Sequence, residues 1–342
     1  MKQNGEGMKK VLCIGDAAYY IIVSGKEGFV HSGAKSKAEQ VSIHVGGCAS
    51  GTAVCLAKLG IETALCCRIG VDMPGRQLID ALSREGVNMQ YAVRDPELPT
   101  AASVICEDSS GKRSIFSSHG CSAIFEEEDI PGAALNECDI VFIGGVLTLD
   151  NFDDARCAWL MRNARKRKKF TVLDTSWDFD GRWMEKAQHA LPFLDLFMCS
   201  REEGLKLTGK TKPERIADVF FNAGVRSVVI KLGEEGALVC PGGGMPCIRV
   251  PAYTCKPVDR TGAGDAFAAG MLAGLARDWD FYKSARFANA VSHFCLIGRG
   301  IYEGIPSAEE IEAFMQNNEK SVPAAVWKER AKAKISAQGL EQ

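Results

Sequence analysis

The stretch Asp259-Arg260-Thr261-Gly262-Ala263-Gly264-Asp265-Ala266-Phe267 constrains this chain more than any other. Small residues, then an acid, then an apolar run place a helix start at the glycines. Gly262, Ala263 and Gly264 leave their amides uncovered just where that helix begins. A helix start carries unpaired N–H donors and the positive end of the helix dipole, so it suits a phosphate. Asp265 then stands at the mouth of an anion hole, where a carboxylate is electrostatically out of place unless it acts. The act that fits is to take a proton from a hydroxyl attacking a phosphoryl group. The same letters also read as an ordinary glycine loop with an Asp helix cap.

The rest of the chain supplies a frame for that turn. Val11–Asp16 is a buried apolar run ending in Gly15-Asp16. Gly46-Gly47 opens a helix to about Leu59, closed by Gly60, and a strand follows over Thr63–Ile69 before a helix to Glu85. Strands over Ile140–Ile143, Phe170–Leu173, Leu196–Cys199 and Ser227–Lys231 alternate with helices over Asp150–Lys168 and Pro213–Ala223. This rhythm predicts an α/β fold, a mostly parallel sheet with helices on both faces. Ligands collect at the carboxyl ends of such strands, where Gly15-Asp16, Gly144-Gly145, Asp174, Ser200 and Gly233 fall. Two patches, 17–45 and 98–118, alternate apolar and polar residues and predict a small sheet standing off the main body, a candidate lid. Apolar helices are expected over Ala266–Ala276 and Phe281–Leu296.

Composition excludes several classes. Forty-one basic against 43 acidic residues leave a net charge of −2, which gives no general attraction to nucleic acid or membrane. No apolar run reaches the ~18 residues of a membrane span, and Met1–Lys10 lacks a signal-peptide core, so a cytoplasmic protein is expected. Residues 1–9 read as a disordered leader and 319–342 as a loosely attached tail helix. The 14 cysteines include no CxxC pair and sit mostly in apolar settings, which favours buried reduced thiols over zinc or disulfides. The charge run Arg162–Lys169 ends a helix and is read as dipole pairing and a solvated face. Gly15-Asp16-Ala17-Ala18 lacks the glycines of a dinucleotide fingerprint.

The nine-residue stretch resembles the signature of the ribokinase-like (PfkB-type) carbohydrate kinases, Asp-Thr-Thr-Gly-Ala-Gly-Asp-x-Phe, departing only at Arg260. The resemblance covers roughly residues 10 to 316 and implies a three-layer ribokinase-like sandwich with a β-sheet lid. It implies a kinase using ATP and Mg²⁺, with Asp265 as base, the 262–264 amides as anion hole, and a sugar or sugar acid as acceptor. It also implies a homodimer formed through the lid sheets.

Other positions are carried over one at a time. Gly46, Gly47 and Ala53 match the family's Gly-Gly-x-x-x-Asn-x-Ala, but Gly51 stands where relatives place a sugar-binding Asn. Tyr20 stands where many relatives carry a substrate-gripping Asp. Both departures remove polar groups from the sugar pocket. Asp16 either takes over hydroxyl binding or caps a strand end. The bare backbone of Gly46-Gly47 lets substrate approach closely. Ser200 and Glu203 resemble the family's Asn-x-x-Glu, with Leu207-Thr208-Gly209 following; Glu203 acts on magnesium through water or pairs with the helix dipole.

Lys231, Gly233 and Gly236 resemble the turn against the nucleotide, where Lys231 touches phosphate or ends a strand. Asn289 flanks adenine or packs its helix. Asp259 and the Thr261 carbonyl, with Gly298–Gly300, lie where many relatives hold a monovalent cation such as K⁺. Arg113 and His119 are candidates to meet a substrate anion. Within this frame a nucleoside kinase, with Tyr19, Tyr20 and Phe29 as base clamp, a sugar-phosphate or sulfosugar kinase, and a non-catalytic sugar sensor stay open.

Overall fold

The apolar runs become strands wherever they are short and fully enclosed, and the computed structural model describes them within residues 7–26, 28 and 35–318. From the N-terminus run β1 (Val11–Gly15), β2 (Ala18–Gly25), β3 (Gln40–Gly46), α1 (Cys48–Lys58), β4 (Thr63–Gly70), α2 (Met73–Arg84), β5 (Ala92–Asp95), β6 (Ala101–Asp108) and β7 (Arg113–Ser118). Then come α3 (Gly132–Glu137), β8 (Ile140–Val146), α4 (Ala155–Lys166), β9 (Phe170–Thr175), α5 (Met184–Ala187), β10 (Leu196–Ser200), α6 (Arg201–Thr208) and α7 (Pro213–Asn222). The last third holds β11 (Val228–Lys231), β12 (Ala237–Cys240), β13 (Ile248–Val250), α8 (Ala263–Ala276), α9 (Phe281–Ile297) and α10 (Ala308–Asn317).

One nine-stranded sheet has the order β13-β12-β11-β10-β9-β8-β1-β4-β5, parallel except where β12 pairs antiparallel with β11 and β13. Its strands are covered on both faces, and the period of two sorts their residues. Val11, Cys13, Phe142, Val172 and Met198 meet α1, α2, α8 and α9 on one side. Leu12, Ile14, Val141, Ile143 and Phe197 meet α3, α4 and α7 on the other. Helices α8 and α9 approach closely because α8 offers glycine: a side-chain carbon at Gly270 would stand 2.5 Å from Ala288 Cα.

The second sheet has the order β3-β2-β6-β7, with β2 and β6 parallel and both outer pairs antiparallel. Its register sets Ile43, Ile21, Val104 and Phe116 in one row across all four strands. Ile43 and Phe116 at the ends of that row are exposed, whereas Ile22 and Ile105, one position on, are buried. Ile115 beside Phe116 is exposed as well, while Ile21 packs against the main core.

Several elements differ from the sequence expectation. The helix expected from Asp150 starts at Ala155, because Asp154 takes a positive φ of 64°. Strands β5, β12 and β13 and helices α3 and α10 were not anticipated. Cys240 and Cys247 form a disulfide joining the end of β12 to the approach to β13, while the other twelve cysteines are unbonded. The expected tail helix at 319–342, most of the leader at 1–9, and Phe29 lie outside the described residues. Among the described residues no helix is long and apolar enough to cross a membrane.

Candidate active site

Strand register alone assembles the floor of the site. Gly15 aligns with Gly144, Gly144 with Asp174, and Ser200 with Lys231, so the ends of β1, β8, β9, β10 and β11 form one rim. Helix α8 starts on that rim. Gly262 is its N-cap in the left-handed conformation (φ 76°), and a side-chain carbon there would stand 2.5 Å from Ile301. Only glycine fits both demands. The first-turn amides beyond it have no partner inside the helix.

Asp265 lies on the first turn of α8, half-buried. Its carboxyl is pushed well up by burial, with Lys231 working the other way and Asp174 and Asp16 adding to the rise. A side-chain carbon at Gly51 would stand 3.1 Å from Asp265 Oδ2. The glycine that departs from the family pattern is thus the residue that leaves the Asp265 carboxylate its room.

Lys231 is neither a plain strand end nor free. Its Nζ donates to both oxygens of Asp174, at 2.7 and 2.8 Å. The same Nζ would stand 3.6 Å from a side-chain carbon at Gly264, so the ammonium faces the start of α8. Burial pushes the buried Asp174 carboxyl up, and the Lys231 charge offsets only part of it. Asp174 was placed at a strand end by the sequence but given no role there; the signal was its position straight after an apolar run.

Asp16 caps a helix start. Its Oδ1 accepts from the Cys48 and Ala49 amides, at 2.9 and 3.3 Å, and so closes the start of α1. Tyr20 enters the same space from β2. Its ring lies over Gly46, where a side-chain carbon would stand 2.1 Å from it. Burial pushes the Tyr20 phenol up, with Cys48, Asp16 and Asp265 adding to the rise. This corrects the reading of Gly46: its bare backbone is covered by Tyr20. Gly47 is likewise used inside the protein, its missing side chain leaving room for the Asp16 carbonyl. Tyr19 points elsewhere and hydrogen-bonds Gln77.

Ser200 and Glu203 cap one another. Ser200 Oγ accepts from the Glu203 amide at 3.1 Å, and Glu203 Oε2 accepts from the Ser200 amide at 2.7 Å and from Thr175 Oγ1 at 3.0 Å. This capping box fixes the Glu203 carboxylate beside Asp174 and Lys231. Gly233 is open, with nothing within 4 Å of a side-chain carbon placed there. Gly236 is not: the Val250 carbonyl takes that space at 2.1 Å. Asn289 is also engaged, its Nδ2 donating to the Val250 and Pro251 carbonyls at 3.1 and 3.0 Å. Both residues serve the end of the short strand β13.

Arg113 does not reach the acceptor space. Its guanidinium binds Glu107 and Asp259. Asp259 Oδ1 also accepts from the Thr261 amide at 2.8 Å, and Oδ2 from the Gly300 amide at 3.1 Å. His119 sits 3.4 Å from Asp150 and near Asp16.

Residues 8–308 match the family model described as pfkB family carbohydrate kinase. The chain is 28% identical over 255 residues to an uncharacterized sugar kinase of Archaeoglobus fulgidus, covering 73% of this chain and 98% of that protein. It is 26% identical over 287 residues to the 2-dehydro-3-deoxygluconokinase of Bacillus subtilis, covering 79% and 86%. Among solved structures, Arabidopsis thaliana ribokinase complexed with ribose and ATP superimposes with a TM-score of 0.76 at 22% identity, covering 90% of this chain and 99% of that one. The ribokinase-like fold follows from the last of these, and from the family match over nearly the whole described chain it follows that this protein belongs to the pfkB family of carbohydrate kinases.

Proposed function

We propose that the chain transfers the γ-phosphoryl of Mg-ATP to a hydroxyl, the primary one, of a sugar or sugar acid. The observation that carries this is the half-buried Asp265 carboxylate beside the uncovered first turn of α8, within the charge of Lys231. The acceptor hydroxyl gives its proton to Asp265 as it attacks. The amides of 262–264 and the Lys231 ammonium meet the charge of the transferring phosphoryl. Gly233, open on its outer side, suits close approach of the nucleotide.

The charges around Lys231 fit a divalent cation: Asp174, Glu203 and Asp265 surround one ammonium, leaving a surplus of negative oxygen. Bound Mg²⁺ would neutralise the nucleotide phosphates, and Glu203, held by its cap, would hold it through water. Tyr20, and Gly51 closed over by Asp265 and Ile301, stand where relatives place polar groups, which supports an acceptor other than ribose. Tyr19, turned away and bound to Gln77, weakens the base clamp of a nucleoside kinase. Arg113, bound to Glu107 and Asp259, offers little to a sugar phosphate.

The kinase domain is read as residues 10–316, with the second sheet as its lid, closing to keep water from the phosphoryl group. The exposed Ile43, Ile115 and Phe116 of that sheet suit pairing with the same residues of a second copy, a homodimer through the lid.

The test is ADP release with Mg-ATP across sugars, sugar acids, sugar phosphates and nucleosides, repeated with Asp265→Asn. One acceptor class should turn over, and the variant should lose roughly 10²-fold or more in turnover while still binding nucleotide, the scale of a lost general base. Near-wild-type turnover in the variant would remove Asp265 from the mechanism. Silence across the panel with ATP bound would favour a sensor.

A further inference from the structure

The resemblance implies a monovalent cation at Asp259 and the Thr261 carbonyl, and the donors found there do not fit one. Both Asp259 oxygens are taken: Oδ1 by Arg113 Nη2 at 2.9 Å and the Thr261 amide, Oδ2 by the Gly300 amide. The Thr261 carbonyl faces the Cys295 thiol, with Sγ at 3.4 Å. Burial would raise the Asp259 carboxyl, but these amides and the Arg113 charge outweigh it, so the group stays ionised with its countercharge already in place. A metal ion at this carboxylate would meet the guanidinium at close range.

We propose that Arg113 is the built-in cation of this loop and that the protein needs no monovalent metal ion. Arg113 opens β7 in the lid sheet, while Asp259 lies 146 residues further on, three positions before the Gly262 cap of α8. One guanidinium fork therefore ties the lid to the loop that sets the anion hole. A second tie, from Arg113 Nε to Glu107 Oε2 at 2.6 Å, holds the fork in position. Arginine suits this place because its planar donors can serve two carboxylates at once and its charge is permanent. Arg113 is a positioning residue: it touches no reacting group, and acts through Asp259 and the Thr261 amide.

Glu107 and Asp259 also line a cavity of about 370 Å³ between the lid and residues 257–260. With the guanidinium removed, K⁺ can shed water and take the Asp259 oxygens as ligands, whereas tetramethylammonium, its charge shielded by methyl groups, cannot be coordinated. That difference in coordination gives the test.

The full chain is compared in KCl and in tetramethylammonium chloride at equal ionic strength, reading the melting temperature and, where an acceptor is known, turnover. The activity arm rests on the kinase reading; the melting arm does not, so a failure of one is not mistaken for the other. The wild type should melt and turn over alike in both salts. Arg113→Met should lose turnover on the order of tenfold in tetramethylammonium, a usual size for coupling between two sites, and recover in KCl. Its melting temperature should also rise in KCl relative to tetramethylammonium. A K⁺-specific rise in wild-type melting temperature or turnover overturns the proposal without need of any variant. So does an Arg113→Met protein that behaves alike in the two salts.

Discussion

Gly51 on α1 and Asp265 on α8 face each other so closely that a side-chain carbon at 51 would stand 3.1 Å from Oδ2 and 3.3 Å from Cβ of the aspartate. In an ordinary helix interior, Gly→Ala adds roughly 0.5–1 kcal/mol of stability. Here the methyl presses the carboxylate aside by a few tenths of an ångström. Gly51→Ala is expected to lower turnover by about tenfold, equivalent to ~1.4 kcal/mol of barrier, while urea unfolding stays close to wild type. Unchanged steady-state turnover in the variant would show that the clearance has no catalytic consequence.

Lys231 and Asp174 form a pair whose members depend on each other. Removing one charge leaves the other buried and uncompensated, at a cost of about 3–5 kcal/mol. Denaturant unfolding of Lys231→Met should show that loss, and Lys231→Met/Asp174→Asn should recover at least half of it. Additive effects in this double-mutant cycle would mean that the two residues do not interact.

The pH dependence has two opposite signs. A general base works ionised, and burial raises the Asp265 carboxyl, so kcat/KM should fall with falling pH well above the ordinary carboxylate value of about 4. For stability the sign reverses. Asp174 holds a proton more tightly folded than unfolded, because burial raises its carboxyl. Its contribution is therefore greatest at acid pH and declines as pH rises from about 4 through its raised folded value. Melting across pH for wild type and Asp174→Asn isolates this contribution, which should be missing from the variant.

Asn289 should prove structural. Its amide satisfies the Val250 and Pro251 carbonyls, and exposing these buried acceptors costs about 1–3 kcal/mol. Asn289→Ala is expected to unfold earlier while nucleotide affinity, measured by calorimetry, stays within about twofold, the size of a negligible contact. A large loss of nucleotide affinity in a well-folded variant would return Asn289 to the binding site.

Local features were legible from the residues. Val11–Gly15 and Ile140–Val146 are apolar runs closed by, or containing, glycine, and both are central strands buried on both faces. The helix start at Gly262–Gly264 followed from side-chain size and capping alone. What escaped was short or distant. β12 and β13 have four and three residues, too few for a period to show, and their antiparallel pairing depends on a turn rather than on a pattern. Lys231 meets Asp174 across 57 residues and Arg113 meets Asp259 across 146, and no local spacing encodes such meetings. Hence Arg113 read as a possible anion contact when its charge is spent inside the protein. Asn289 read as a possible ligand contact for the same reason: the carbonyls it serves lie 38 and 39 residues away.

The β2–β3 hairpin leaves the main sheet just after Asp16 and returns at Gly46, next to the start of α1, and it carries Tyr20 between. Half of the second sheet and the Tyr20 ring over Gly46 thus belong to one length of chain. Recombination between family members that exchanges this hairpin also exchanges the residue at the place of Tyr20. If the second sheet is the lid and Tyr20 lines the acceptor pocket, as proposed, acceptor choice and lid motion should diversify together in this lineage, as a single inherited cassette.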